Sequence, residues 1–499
     1  MNTLLNELRK ADNYKLTENG GVAYKSTLSD IYDMFALCGA YRTRSDEDCI
    51  YMFQKAYKEN KELALKCLFY LADCRGGQGE RRFFRVCYHW LADKDPEVAA
   101  KFIELIPEYR RWDDVLYSCV GTKIEKQALD FIEKQLLLDI NSKTPSLLGK
   151  WMPSENASAP STKIMGNIVR EHLNMTHKQY RKTLSMLRKR INIVERLMSE
   201  NRWDEIEFDK IPSKAGLIYK NAFARRDLIA AKYEAFAKDE TTTVNADVLY
   251  PYEVVAKARA DFRGSGYWRS ERIEYNGSST DRLMLEKYWN NLKDYFNGKQ
   301  SNILCVVDTS GSMRGTPIDV AISLGMYCAE RAGGPFKDHY ISFASRPQLI
   351  RVDGVDFVDK VRRIYQTNLC DNTNLTAVFD LLLDTIQHGN VRTQDIPETI
   401  CVISDMEIDC QSYWRANTAA TEMEKIRSEW ARAGYKLPRL VYWNVNARHN
   451  TILDNGPDVT FVSGMSPVIF EQVITGKNGV SLMLDKLLSA RYEAITLYD

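Results

Sequence analysis

The stretch Asn302-Ile303-Leu304-Cys305-Val306-Val307-Asp308-Thr309-Ser310-Gly311-Ser312-Met313 decides the fold. Its first half is an unbroken apolar run, the pattern of a strand buried on both faces. Its second half is built of Asp, Thr, Ser and Gly, the chemistry of a turn. Downstream the same alternation repeats: helix Pro317 to Arg331, strand His339 to Phe343, helix Thr376 to His388, strand Thr399 to Ser404 and helix Arg415 to Ala433. Strands Arg439 to Asn444 and Val459 to Val462 and two C-terminal helices follow. Strands alternating with long helices predict a mainly parallel, doubly wound sheet covered on both faces, so residues 300–499 are expected to be an α/β domain of Rossmann-like type.

Upstream the period changes to three and four, and residues 1–240 are expected to be an all-α helical-repeat module. Asp46 to Ala72 shows the pattern, with Ile50, Phe53, Ala56, Leu63, Leu65, Leu68 and Phe69 between charges. Gly76-Gly77-Gln78-Gly79 interrupts it before a second helix, Glu80 to Leu91. The clearest helix follows Thr176 as N-cap, with Tyr180, Leu184, Leu187, Ile191, Val194 and Met198 on one face. Residues 241–299, with Pro251, Gly264, Gly266, Gly277 and a Ser278-Ser279 pair, are expected to be a linker and connecting helix.

A chain of 499 residues, 44% hydrophobic and 27% charged, is globular and large enough for several cores. Its 68 basic and 67 acidic residues leave a net charge of +1, which excludes a generally basic protein and confines any nucleic-acid surface to a local patch. No apolar run is long enough to span a bilayer, and the opening Met1 to Leu16 is interrupted by charges, so a cytoplasmic protein without membrane contact is expected. Eleven scattered cysteines with no C-x-x-C pair fit buried thiols in a reducing compartment and argue against thiolate zinc.

In a doubly wound sheet ligands gather at the carboxyl ends of strands, where the Asp308 loop lies. Asp308, Ser310 and Ser312 alternate, so their oxygens can converge, and Gly311 lets the chain bend. The Asp371-Asn372-Thr373-Asn374 loop adds the Thr373 hydroxyl, and strand Thr399 to Ser404 delivers Asp405. Two carboxylates and three hydroxyls are hard donors for Mg²⁺, or less selectively Mn²⁺ or Ca²⁺. The competing readings are an ordinary strand-ending turn and an aspartyl phosphotransferase with Asp308 as nucleophile. The latter wants a second carboxylate two residues on, where Ser310 stands.

D-x-S-x-S, the Thr loop and the later S-D resemble the metal-ion-dependent adhesion site of von Willebrand factor A domains. That likeness implies a divalent-cation site at Asp308, Ser310, Ser312, Thr373 and Asp405, able to take a protein carboxylate. The sequence departs at Met406, where the family often has Gly. A helical module followed by such a domain resembles the Ro autoantigen and its TROVE relatives, which implies a HEAT-like helical repeat able to close into a ring and binding of small noncoding or misfolded RNA. More closely, Leu71 to Arg82, Trp112-Asp113-Asp114, Lys150 to Asn156, Tyr180 to Arg190, Trp203 and Pro212-Ser213-Lys214-Ala215 are similar to an uncharacterised family that pairs a TROVE-like region with this α/β domain.

Charge supplies a second candidate surface. Lys163, Arg170, His172, Lys178, Arg181, Lys182, Arg188 and Lys189 form a run with Glu171 the only acid among them, a candidate track for RNA phosphates. Arg75 and Arg81 flank the glycine-rich turn, which either binds phosphate at a helix N-terminus or is a tight interhelical turn with Glu80 in surface pairs. Trp151, Tyr180, Trp203 and Tyr219 lie nearby and are expected in the core before they are expected to stack on bases. The leading expectation is a non-enzymatic ribonucleoprotein scaffold that binds RNA with a single-stranded end. The alternatives are a metal-dependent protein-interaction module without RNA and a Mg²⁺-dependent phosphotransferase or nuclease.

Overall fold

The computed structural model describes residues 12–264, 273–367, 373–409, 422–454, 456 and 458–497. Two hairpins, β1 (Tyr14–Leu16) with β2 (Val22–Tyr24) and β3 (Phe262–Arg263) with β4 (Glu274–Tyr275), lie outside the main sheet. The main sheet contains β5 (Ile303–Asp308), β6 (His339–Phe343), β7 (Leu349–Arg351), β8 (Thr399–Ser404), β9 (Arg439–Asn444) and β10 (Val459–Ser463) in the order β10-β9-β8-β5-β6-β7. All neighbours are parallel except the short edge strand β7, which runs antiparallel to β6. The chain leaves β5 toward β6 and returns to β8 on its other side. The sheet therefore has its topological switch point between β5 and β8.

Residue alternation along these strands assigns two cores. Leu304, Val306, Ile400, Val402, Leu440 and Tyr442 face a core that runs into the helices from Asp30 to Leu187. Ile303, Cys305, Val307, Cys401, Ile403, Val441 and Trp443 face the other, which is shared with residues 194–296. The helical half thus clasps both faces of the sheet. Within residues 241–299 the described helices Pro251–Ala260 and Ser279–Asn290 bury Val254, Val255, Met284, Leu285 and Trp289 in the second core. Proline at the start of the first and a Ser278 cap on the second are helix-start signals, where the glycines alone suggest a linker.

Two further boundaries differ from periodicity. Asp46 to Ala72 is two helices, Asp46–Glu59 and Lys61–Ala72, because Asn60 is extended and its side chain accepts from the Leu63 amide. The helix after Thr176 ends at Ile191, where Asn192 turns left-handed (φ 53°), and Val194–Ser199 starts anew. The helix expected over Arg415 to Ala433 is described as Glu422–Arg432, and residues 410–421 lie outside the described ones. Helix Phe357–Thr367 adds to the alternation expected from the sequence, and Phe357, Val358, Val361 and Ile364 carry its apolar spacing. The nine described cysteines are free, and eight are buried.

The glycine-rich turn is a tight structural joint. The amides of Gln78, Gly79 and Glu80 bond the carbonyls of Tyr70, Asp73 and Leu71, and the Glu80 carboxylate caps the amides of Arg82 and Phe83. A Cβ on Gly77 would lie 1.9 Å from the Tyr70 carbonyl oxygen. Gly77→Ala is expected to destabilise the fold by about 2–3 kcal/mol, read as a lower denaturant midpoint at unchanged slope.

Candidate functional site

The register Val307↔Ile403 sets Asp308 beside Ser404 at the carboxyl edge of the sheet. The Ser404 hydroxyl donates to Asp308 Oδ2 (2.6 Å), and the Ser310 amide donates to Oδ1 (2.8 Å). A short turn, Gly311–Met313, folds the loop back so that the Ser310 and Ser312 hydroxyls stand 3.0 Å apart. Ser312 also bonds the Asp405 carboxylate. Asp308, Ser310, Ser312 and Asp405 are therefore together at the switch point. Thr373 is buried on the same rim, where its hydroxyl donates to the Glu407 carbonyl oxygen at 3.2 Å, two residues past Asp405. Met406 fits where glycine is often found by taking a left-handed backbone (φ 66°), a strain of about 1–3 kcal/mol held by burial of its side chain.

Both carboxyls are fully buried, and each disfavours the charge of the other. Burial first, and the nearby Asp405 charge second, push the Asp308 carboxyl up to about 7. Burial also raises Asp405, against the opposing pull of Ser312 and Arg448. The donors are hard oxygens, and the two crowded carboxylates face one guanidinium, so this set fits a small dication.

No local pattern in the chain marks what surrounds these residues. Residues 17–20 strap across the exit of β8: the Thr17 hydroxyl donates to Ile408 O (2.7 Å), the Glu18 amide to Glu407 Oε2 (2.7 Å) and Asn19 Nδ2 to Glu407 O (2.8 Å). Arg448, from the turn after β9, bridges Asp405 Oδ2 (2.9 Å) and Glu18 Oε2 (2.6 Å). His449 reaches the other oxygen of Glu18 at 2.9 Å. The sequence separation of these partners hides them from any short-range pattern.

The basic run divides into two groups. Lys178, Arg181, Lys182 and Lys189 on helix His177–Ile191, and Lys163 on helix Pro160–His172, are exposed and form no ion pair among the described residues. At 100° per residue Lys178, Lys182 and Lys189 share the face opposite Tyr180, Leu184 and Leu187, with Arg181 on its flank. The other members are engaged. Arg188 donates to Gly149 O (3.0 Å), Met152 O (2.9 Å) and Ser154 Oγ (3.1 Å). Arg170 pairs with Glu171 and approaches Glu155. His172 Nε2 lies 3.1 Å from Asp130 and 3.5 Å from Glu133, in acidic surroundings. Arg81 pairs with Asp113 and with Asp114 at 2.7 Å, while Arg75 is exposed and donates to Glu108 O.

The aromatic residues are chiefly structural. Tyr180 and Trp203 are buried, and the Tyr180 hydroxyl donates to Pro153 O. Trp151 lies under the Arg111 guanidinium, and Tyr219 bonds Glu195. Since Arg188 satisfies three acceptors of residues 149–154, Arg188→Ala is expected to cost about 2–3 kcal/mol in a denaturant titration.

Residues 302–482, from β5 into the last long helix, match the family model described as Domain of unknown function (DUF7788). Residues 17–111 and 160–299 match Domain of unknown function (DUF2828). The chain is also similar to Uncharacterized protein L728 of Acanthamoeba polyphaga mimivirus, with 27% identity over 529 aligned positions covering 95% of this chain and 87% of the viral protein. The DUF7788 match holds Asp308, Ser310, Ser312, Thr373 and Asp405, while the second DUF2828 segment holds the basic helix. Glu18 of the strap belongs to the first DUF2828 segment and meets Arg448 of the DUF7788 segment. Among the described residues no helix is long and apolar enough to cross a membrane.

Proposed function

We propose that this chain is a cytoplasmic, non-enzymatic RNA-binding scaffold of the Ro ribonucleoprotein type, with a TROVE-like helical half and a von Willebrand A-like sheet domain that takes Mg²⁺ or a similar dication. One observation carries the RNA reading: Lys178, Arg181, Lys182 and Lys189 stand exposed along one helix and pair with no carboxylate among the described residues, in a chain of near-zero net charge, while Arg170, Arg188 and Arg190 beside them are engaged. Lys178 to Lys189 is eleven steps of about 1.5 Å, or roughly 16 Å, a span suited to several consecutive phosphates. The dication would be held by Asp308, Ser310, Ser312, Thr373 and Asp405. It supplies positive charge that keeps both carboxyls ionised and an open position for a ligand oxygen.

The test is binding of a labelled single-stranded RNA to the full chain across a salt series, which is expected to weaken steeply as salt rises. Salt-independent or undetectable binding would overturn the RNA reading. The rim of the sheet site favours a second reading, a metal-dependent module for protein carboxylates, because Glu18 already brings a carboxylate to Arg448 beside Asp405. Partner capture abolished by chelation and by Asp308→Ala, with no RNA retained, would favour that reading.

A further inference from the structure

The end of the basic helix at Asn192 creates a groove that the charge pattern alone does not show. The Ser154–Asn156 loop, helix His177–Ile191 and helix Val194–Ser199 enclose a cavity of about 420 Å³. Its size is that of a single small-molecule ligand and not of a nucleic-acid stem. Arg181, one of the unpaired cations of the strip, stands on its wall.

Two carboxylates in the wall carry buried oxygens with no hydrogen-bond partner among the described residues. The Glu155 side chain is only 5% exposed; its Oε2 meets His177 Nδ1 at 2.5 Å, and its Oε1 is buried without a partner. Glu195 accepts from Tyr219 through Oε1 at 3.4 Å, while its buried Oε2 has no partner. A buried acceptor left open costs about 1–3 kcal/mol, more when charged, so two on one cavity point to a ligand that donates hydrogen bonds there. Arg181 adds a site for an anion at the rim. The remaining cations of the wall are already committed, Arg196 to Glu200 and Arg188 to backbone carbonyls, so the open capacity of the cavity is acceptor inside and cation outside.

We propose that this groove binds one unstacked guanine nucleotide of an RNA strand lying on the basic helix. The guanine Watson–Crick edge presents adjacent N1–H and N2–H donors to Glu155 and Glu195, and Arg181 takes the adjoining phosphate. Adenine and uracil do not present that donor pair, and inosine lacks the N2 amine, so guanine is distinguished by the chemistry of the edge. The inference rests on the RNA reading above and adds to it a base preference that a phosphate-tracking strip cannot supply.

The test uses the full chain and labelled ten-nucleotide RNAs: all uridine, uridine with one central guanosine, and uridine with one central inosine, read by fluorescence anisotropy. The guanosine probe is expected to bind about tenfold more tightly than the other two, the discrimination of one good bidentate contact. Glu155→Gln and Glu195→Gln are each expected to reduce that preference to within about twofold, while the all-uridine probe binds at least as tightly as to the parent. Glu195→Gln leaves the Glu155 contacts to His177 and Arg170 intact, so it gives a readout even if thermal melting shows the Glu155 variant unfolded. Equal binding of the three probes by the parent, or undiminished guanosine preference in a folded Glu195→Gln chain, would overturn the pocket while leaving the RNA reading standing. No binding of any probe would overturn both.

Discussion

Asp308→Ala is expected to erase the response of thermal stability to Mg²⁺. A cation that binds only the native site stabilises it by RT ln(1 + [L]/Kd), about 2.7 kcal/mol at a hundredfold excess over Kd. Spread over a unit the size of the sheet domain, that corresponds to a rise in melting temperature of about 5 °C. The parent should show this rise and the variant none. The pH dependence follows from the same carboxyl. Asp308 is raised from 3.8 to about 7 in the folded chain, so the native state holds the proton more tightly than the unfolded one. Without a dication its contribution is fully present below 3.8 and is lost as pH rises through 7, a decline on the order of a few kcal/mol. Burial acts on Asp405 in the same direction. Saturating Mg²⁺ should flatten the decline, because a bound cation favours both ionised carboxylates. Asp308→Asn, which keeps the shape, should lose the Mg²⁺ response and that decline together. A parent whose stability ignores Mg²⁺ across this range would remove the metal centre.

Replacement of Lys178, Arg181, Lys182 and Lys189 by alanine is expected to lower affinity for single-stranded RNA by about 10²–10³-fold near 0.1 M salt, because each lost phosphate contact on a single strand removes about 0.7 of the log–log salt slope. The slope itself should fall by about 3, and the loss should be similar for sequences of different composition. Arg188 does not belong in this set. It bridges Gly149, Met152 and Ser154, so its loss acts through folding and would confuse the measurement. The four chosen side chains are exposed and pair with no carboxylate among the described residues, which leaves the variant's stability close to that of the parent. Unchanged affinity in the folded variant would mean that this face is solvated surface alone.

Local chemistry made the sheet legible. Continuous apolar runs at Ile303 to Val307 and Thr399 to Ser404, cut off by Asp and Ser, give strand type, burial and the edge at which ligands collect. Asp308, Ser310, Ser312 and Asp405 follow, since each is attached directly to the end of a strand. The strap of residues 17–20 and Arg448 were not legible, because the strap's contacts join positions about 390 to 430 residues apart, Arg448 reaches Asp405 across 43, and no periodicity extends that far. On the basic helix the apolar spacing of Ile191, Val194 and Met198 concealed the stop at Asn192. The signal was nevertheless present in the cluster Arg188-Lys189-Arg190 followed by an Asn able to turn left-handed. Charge count likewise could not separate Arg188, which binds carbonyls, from Lys189, which faces water.

The most direct measurement is recovery and sequencing of RNA crosslinked by ultraviolet light to the full chain in cells, beside the chain lacking the four cations at 178, 181, 182 and 189. The expected result is ribonuclease-sensitive RNA on the intact chain and its loss from the folded variant. Equal recovery from both, or none from the intact chain, would contradict RNA binding by this helix.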